Sequence, residues 1–512
     1  MASTTPPGAG TNGMNFDSEF CGRVPLNQTN LVQPHGVLLV VESGSWRILQ
    51  CSENSATLLG IGPADLAGST LQDRIGAAQI ERLADRLASV RDGKFPLTVT
   101  LNGHKCLLIV EPVDGYVLME VEKLEDEQAT FVDLYEPLKY AMAAIESAEG
   151  VVEASRIIAR ELKAFSGFDK VMIYRFDKDW NGEVIAEEKE AGMESYLYQF
   201  FPASDIPKQA RELYRKNPYR LIPNVDYTPI RLYPVLNPLT HSFTDLSNSN
   251  LRSVASVHIE YLRNMQVTAS MSTRILKNGK LWGLIACHHR SPRYLSYQEC
   301  SVFEMLSTFI TAKIGAVEDA QSAFRKAEGH AGIARVTESV FAAGNLGDGL
   351  GQQSESLLDL LQADGVALVQ QRSVQSWGST PAPADVQDLV YWLQTHGINR
   401  LYQQPSIAAV YDGGDQFAEA ASGLLALPIR AERGHYLLAF RKEAVRRIEW
   451  GGNPNEAIRF ESDGKRYHPR HSFQVWQQTV NGTAPEWTDT EEQVAETFRQ
   501  FLLEYTLKTA QV

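Results

Sequence analysis

The hexapeptide Pro202-Ala203-Ser204-Asp205-Ile206-Pro207 places one carboxylate between two prolines. Proline locks its own φ and restricts the residue before it, so Asp205 is held on an extended or turn-like backbone and aimed at a partner. The same six residues also read as a plain loop ending at a helix start. Between Asp205 and His289 other groups ask for a large polar ligand. Arg220 and Arg252 carry planar, permanently charged forks suited to carboxylates. Ser270 and Ser272 alternate on one strand face as neighbouring hydroxyl donors. His258 and His288 lie near apolar stretches, with Tyr174, Tyr196, Phe201 and Tyr261 as aromatic walls. A lone His or Tyr is usually a satisfied core residue, but a whole set is harder to assign to packing. Far upstream, Cys21 precedes Gln33-Pro34-His35-Gly36.

These residues need a scaffold, and composition bounds it. A chain of 512 residues suggests about three domains, and 44% apolar with 21% charged residues is globular material with ample core. The formal charge of -14 argues against a nucleic-acid binder. No apolar run approaches membrane-spanning length. Met1 to Asn15, rich in Gly, Pro, Thr and Ala, predicts a disordered tail rather than a signal peptide. Five scattered cysteines without CxxC spacing imply neither a disulfide framework nor a zinc site, and a reducing cytoplasm is the default.

From about Phe16 to Glu122 short strands alternate with one or two helices. Val37–Val41 and Trp46–Gln50 form one hairpin, Cys106–Glu111 and Tyr116–Val121 another, and a helix from Asn54 stops at Gly60. A second domain, about Phe131 to Val317, opens with two helices and continues with strands at Val171–Phe176 and Gly182–Glu187. Ile222 to Ser253 shows little periodicity, and so long an irregular segment is often functional. A hairpin is expected around Asn278-Gly279. A helix from Gln298 runs on to Phe341 with Val302, Leu306, Phe309, Ile310, Ile314 and Val317 on one stripe, implying a spine or a dimer interface, or else core packing. A third domain, about Ala343 to Thr509, ends on a helix with the capping box Thr488 and Glu491.

In this order and spacing, Val32 to Gly36, Phe201 to Pro207, Leu251 to His258, Tyr261 to Met265, Leu281 to His289, Trp450-Gly451-Gly452 and Pro469 to Phe473 resemble the photosensory core of a bacteriophytochrome, over about Phe16 to Tyr505. The resemblance implies an α+β fold of three sensor-type domains, PAS at 16–125, GAF at 126–320 and PHY at 321–512, each an antiparallel sheet with helices, joined by a helical spine. It implies a figure-of-eight knot in which the N-terminal segment threads a GAF loop, for which Ile222 to Ser253 is suited. Function would be red/far-red light sensing, with a linear tetrapyrrole in the GAF domain and a homodimer through GAF and PHY helices. Relatives that attach the bilin through a GAF cysteine carry it just before the histidine matched by His258. Val257 stands there, so attachment falls to Cys21, which points to biliverdin. The resemblance puts Asp205, Ile206, Tyr214, Arg220, Arg252, His258, Tyr261, Ser270, Ser272, His288, Met172, Tyr174, Tyr196 and Phe201 around the chromophore. Arg220 and Arg252 would hold one propionate, and His258, Ser270 and Ser272 the other. A tongue at about 447–487 would pair Arg470 with Asp205 and, after illumination, refold so that Ser472 replaces Arg470 and Trp450 and Trp487 exchange places.

Other readings compete. Cys287-His288-His289 suggests a nucleophile or metal site, but adjacent strand residues face opposite ways and cannot converge. Gly344 to Gly351 looks like the ATP lid of a histidine kinase, yet the partner motifs are missing, and it reads as a domain-entry loop. A sensor module without enzymatic activity follows, its output domain or signalling partner lying outside this chain. The alternative is a PAS-GAF module that binds a small ligand without photochemistry.

Overall fold

The computed structural model describes residues 26–90, 93–124, 131–456, 458–460 and 467–509. The tail at 1–15 and Cys21 lie outside the described residues. Two compact units emerge: one runs to Ile314 and takes in Glu449–Trp476, and the other comprises Gly315–Ile448 and the chain from Gln477 onward.

In the first unit, Val37–Glu42, Ile48–Ser52, Phe95–Leu101, His104–Val113 and Tyr116–Lys123 form an antiparallel sheet. Along Phe95–Leu101 every second residue is buried, the period of a strand with one face on a core. The expected strand at Trp46 starts later, at Ile48, because Trp46 has φ 59 and still belongs to the turn. The helix Ser55–Leu59 stops at Gly60, which is left-handed.

Two strands join this sheet from elsewhere in the chain. Ile230–Tyr233 pairs with Ile48–Ser52 on one side and with Leu31–Val32 on the other. The stretch Ile222 to Ser253, read as irregular from its composition, thus contributes a strand to a neighbouring sheet. Residues 27–33 are gripped from both sides. The amides of Leu246 and Leu232 donate to the carbonyls of Asn27 and Asn30 at 2.9 and 3.2 Å, and the Gln33 amide donates to Leu251 O at 2.7 Å.

The second sheet of this unit runs Tyr219–Ile222, Ala269–Lys277, Lys280–His289, Lys170–Phe176, Gly182–Lys189 and Phe200–Phe201. Asn278 and Gly279, both at positive φ, turn its central hairpin. One face carries Val171, Ile173, Met271, Ile285 and Cys287 into a core closed by the helices Phe131–Ser147 and Val151–Ser166. The other face is left for the site.

The helix Tyr297–Ala343 is unbroken over 47 residues. By length and composition it could cross a membrane, which corrects the expectation that no apolar run reaches that size. Its stripe of Val302, Leu306, Ile310 and Ile314 is buried in the same core as the second sheet. Core packing, rather than a dimer seam, therefore claims those residues. Large apolar residues left exposed on these helices include Met305, Phe324 and Phe341 on this one and Tyr135 and Tyr140 on Phe131–Ser147.

The second unit holds a five-stranded sheet, Ser373–Gly378, Gly365–Gln370, His435–Arg441, Gly423–Arg430 and Tyr402–Gln404. The glycine-rich run, expected to be a loop, is the short helix Leu346–Gln352, capped by the Asn345 side chain on the Asp348 amide. Its glycines serve packing: a Cβ on Gly349 would lie 2.4 Å from Val340 Cα. At Asp489–Thr509 the capping box is present, with the Thr488 amide donating to Glu491 at 2.8 Å and the Glu491 amide to Thr488 Oγ1 at 3.3 Å. Trp487 is buried in this unit, its Nε1 donating to Leu361 O at 2.8 Å.

Candidate functional site

Strand register builds one wall of the site. Directly opposed residues share a sheet face, and alternate residues along a strand do too. Arg220, Ser272, Ala286 and Met172 form one row across four strands; Ser270, His288 and Lys170 form the next; Leu284 faces Tyr174. Cys287 points into the core, where burial pushes its thiol above the usual range, and His289 turns to Asp169, whose amide donates to its Nδ1 at 3.1 Å. The Cys-His-His run does not converge, as strand alternation requires.

The facing wall comes from Ala203–Asp205, a single 3-10 turn, and the helices Lys208–Lys216 and Ser256–Asn264. Pro207 caps the first of these helices. From its first turn Arg211 reaches back, donating to Ile206 O at 2.7 Å and Ala203 O at 3.4 Å, and so pins the loop that carries Asp205. Between the walls lies a cavity of about 760 Å³. Every residue that the resemblance placed around a chromophore lines it: Met172, Tyr174, Tyr196, Phe201, Asp205, Ile206, Tyr214, Arg220, Arg252, His258, Tyr261, Ser270, Ser272 and His288. Val257 lines it as well. The volume falls in the range typical of sites for small organic ligands.

Charge within the cavity is unbalanced. Arg220 donates to the carbonyl of Arg252, and Arg252 Nη1 donates to Leu26 O at 3.1 Å. Neither guanidinium has a carboxylate partner among the described residues, and Arg252 Nε is buried without an acceptor. Burial, then the neighbouring Arg220, brings Arg252 down to about 9. A buried cation beside a half-buried one is costly unless an anion joins them. Tyr214 and Ser272 share a hydrogen bond of 2.5 Å next to them.

His258 is lowered to about 4 by burial and then by Arg220, and it stacks on Tyr261 at 5.9 Å. His288 is lowered to about 3 by burial, then by Lys170 and His258. Both rings are neutral near pH 7, each offering one N–H donor and one acceptor.

Asp205 meets a segment far away in sequence. Its Oδ2 accepts from Arg470 Nη2 and from the Tyr261 hydroxyl at 2.9 Å. Burial raises the Asp205 carboxyl, while Arg470 and Tyr261 pull it back down. Phe201 and Phe473 flank the guanidinium, 5.3 and 4.9 Å from it, and Asn264 Nδ2 donates to Arg470 O at 3.1 Å. Trp450 pairs in parallel with Phe200, and a Cβ on Gly452 would lie 2.3 Å from Ser472 O, so only glycine lets the chain at 452 and 472 approach this closely. Ser472 is exposed. Trp450 is buried in the first unit and Trp487 in the second. The contact of His468 Nδ1 with Glu260 at 3.0 Å was not anticipated, and neither was the burial of Lys170. For Lys170 a signal existed, since it alternates with Met172 and Tyr174 on one strand.

Family models match three consecutive segments: the PAS fold at residues 21–124, the GAF domain at 151–314 and the phytochrome region at 330–511. Cyanobacterial phytochrome B of Nostoc sp. is 37% identical over 96% of this chain and 67% of its own length. A bacteriophytochrome of Xanthomonas campestris pv. campestris is 32% identical over 92% of this chain and 76% of its own. The chain spans about two thirds of the length of several curated relatives. Among solved structures, a bacteriophytochrome from R. palustris superposes with TM-score 0.84 at 32% identity, over 95% of this chain and 99% of that one. The Stigmatella aurantiaca phytochrome photosensory core module gives 0.84 at 33% identity, over 96% and 99%. With its three domains in this order, the chain belongs to the phytochrome family and is a light-sensing photosensory core.

Proposed function

We propose that this core is a red/far-red photoreceptor that holds biliverdin in the GAF cavity and attaches it at Cys21. The observation that carries the reading is the pair of half-buried Arg220 and buried Arg252, both lining the cavity without a carboxylate of their own among the described residues. A tetrapyrrole with two propionates fits that need. Val257, next to His258, has no thiol, which leaves Cys21 as the attachment point.

When bound, the bilin would supply light absorption and Z/E isomerisation of the double bond before its terminal ring. The protein's part is to hold and orient. Arg220 and Arg252 take one propionate, and Ser270, Ser272 and neutral His258 the other. His288 donates to the carbonyl of the terminal ring, with Met172, Tyr174, Tyr196, Phe201, Ile206 and Tyr214 excluding water and bounding its rotation. Asp205 keeps its carboxylate for Arg470 and Tyr261, which links the cavity to the tongue. Refolding of the tongue, with Ser472 replacing Arg470 and Trp450 exchanging with Trp487, would carry the signal to an output domain or partner. The grip on residues 27–33 supports the threading of the N-terminal segment through the GAF loop. A homodimer fits the exposed Met305 and Tyr140.

The test is to mix the apoprotein with biliverdin and record absorption before and after red light. A reversible red/far-red change supports the reading; a bound but static spectrum makes the protein a ligand sensor without photochemistry.

A further inference from the structure

Lys170 is a charged residue in the interior of the first unit, its side chain 2% exposed, and its partner Glu187 is 3% exposed. Burying both charges costs more than an apolar pair of similar volume unless geometry is good and the remaining donors are satisfied. Here the charge has several partners. The ammonium donates to Glu194 O, lies 3.7 Å from Glu187 Oε1 as an ion pair, and stands 3.8 Å over the ring of Tyr196. A carbonyl, a carboxylate and a ring face thus surround one cation.

The same carboxylate holds the backbone of that loop. Glu187 accepts from the Tyr196 amide at 2.9 Å and from the Ser195 hydroxyl at 2.5 Å. Tyr196 is therefore fixed twice, by its amide on Glu187 and by its ring beneath Lys170. The ring also makes a T-shaped contact with Phe201 at 5.5 Å, and both rings line the cavity. Lys170 lies directly across the strands from His288, in the row that starts at Ser270. Its positive charge also discourages protonation of His288.

We propose that the buried Lys170–Glu187 pair is a positioning element for the photoreaction, locking Tyr196 against the end of the cavity beside His288 and so setting how far the terminal bilin ring turns and where it stops. The pair touches no chromophore atom and acts through Tyr196 and His288. This rests on the photoreceptor reading above. A packing role alone would call for an apolar side chain at position 170, which the surrounding core would accept at lower cost.

The test uses the full chain assembled with biliverdin. Lys170→Met combined with Glu187→Gln removes both charges without stranding either. We expect covalent labelling at Cys21 unchanged, with the photoproduct yield per absorbed photon falling about two- to fivefold, the range of one lost cation–aromatic contact. Lys170→Arg keeps a cation over the ring and should restore the yield. Tyr196→Leu should lower it as much, and adding it to the double variant should lower it no further, since coupled residues are not additive. A double variant with parental yield, or full additivity with Tyr196→Leu, overturns the role of the pair. Should the double variant fail to fold, Lys170→Met alone decides, because it removes the cation over the Tyr196 ring; a parental yield in that variant overturns the role of the pair. A parent that takes up biliverdin without photoconverting overturns the photoreceptor reading instead, and this proposal with it.

Discussion

Arg470 Nη2 and the Tyr261 hydroxyl both donate to Oδ2 of Asp205, across 265 and 56 residues of sequence. The guanidinium is 3% exposed and the carboxylate 6%. Two Arg470 nitrogens, Nε and Nη1, have no acceptor among the described residues, so its ion pair rests on this one oxygen, with Phe201 and Phe473 on either side. Such a contact suits a latch: it is specific and buried, yet can be exchanged for another.

Removing one side of that pair strands the other charge, at a cost of about 3–5 kcal/mol. Arg470→Ala should impair formation or stability of the far-red-absorbing state while Cys21 remains labelled. Asp205→Ala should be worse, because it also releases Tyr261 and disturbs the cavity. Time-resolved absorption with infrared difference spectra checks both. Parental photoconversion and tongue refolding in Arg470→Ala would remove the proposed link.

Attachment is tested by Cys21→Ser. Covalent biliverdin, seen as zinc-induced fluorescence of the denatured protein, should vanish while some noncovalent binding persists. Full labelling of the variant would move the attachment elsewhere.

The arginine pair predicts effects of opposite sign. Arg252→Ala removes a buried cation that its neighbour Arg220 repels, so the apoprotein should be at least as stable as the parent. Biliverdin binding should weaken by about 10- to 100-fold, as for the loss of a charge-assisted hydrogen bond. Denaturation of the apoprotein and bilin titration are the two measurements. Loss of apoprotein stability with unchanged affinity would make the pair structural.

Glu122 gives a pH signature. Burial, then the nearby charge of Glu120, raises its carboxyl from 4.5 to about 7 in the folded state. The folded protein therefore binds this proton more tightly than the unfolded chain does. The resulting stability is fully present below about 4.5 and is lost as pH rises through about 7. Glu122→Gln should flatten this dependence, by about 1–3 kcal/mol between pH 4.5 and 7.5. Denaturant titrations of both proteins at several pH values decide it. Parallel curves would remove the assignment.

Dimerisation should follow exposure rather than the apolar stripe. Met305 is 43% and Tyr140 64% exposed, whereas Leu306 and Ile310 are interior. Met305→Glu with Tyr140→Glu should yield a folded, bilin-binding monomer by light scattering. Leu306→Glu should instead unfold the GAF core. A double variant that stays dimeric would place the interface on another face.

Much of this protein is legible in its sequence, for local reasons. Prolines around Asp205 set its backbone, Asn278-Gly279 makes a hairpin of its flanking strands, and Thr488 with Glu491 starts the last helix. Strand alternation alone separates Cys287 from His288. Tertiary structure decided what depends on distant chain. The loop strand Ile230–Tyr233 has too little periodicity to announce itself, and it forms because Ile48–Ser52 and Leu31–Val32 offer it free edges. A helical stripe such as Val302 to Ile314 has the same period whether it faces its own core or a partner. Only the sheet packed against it tells the two apart. Alternation with Met172 and Tyr174 puts Lys170 on the cavity face of its strand, but its partners Glu187, Glu194 and Tyr196 show only in the folded chain, because satisfying a buried charge takes groups that tertiary structure assembles.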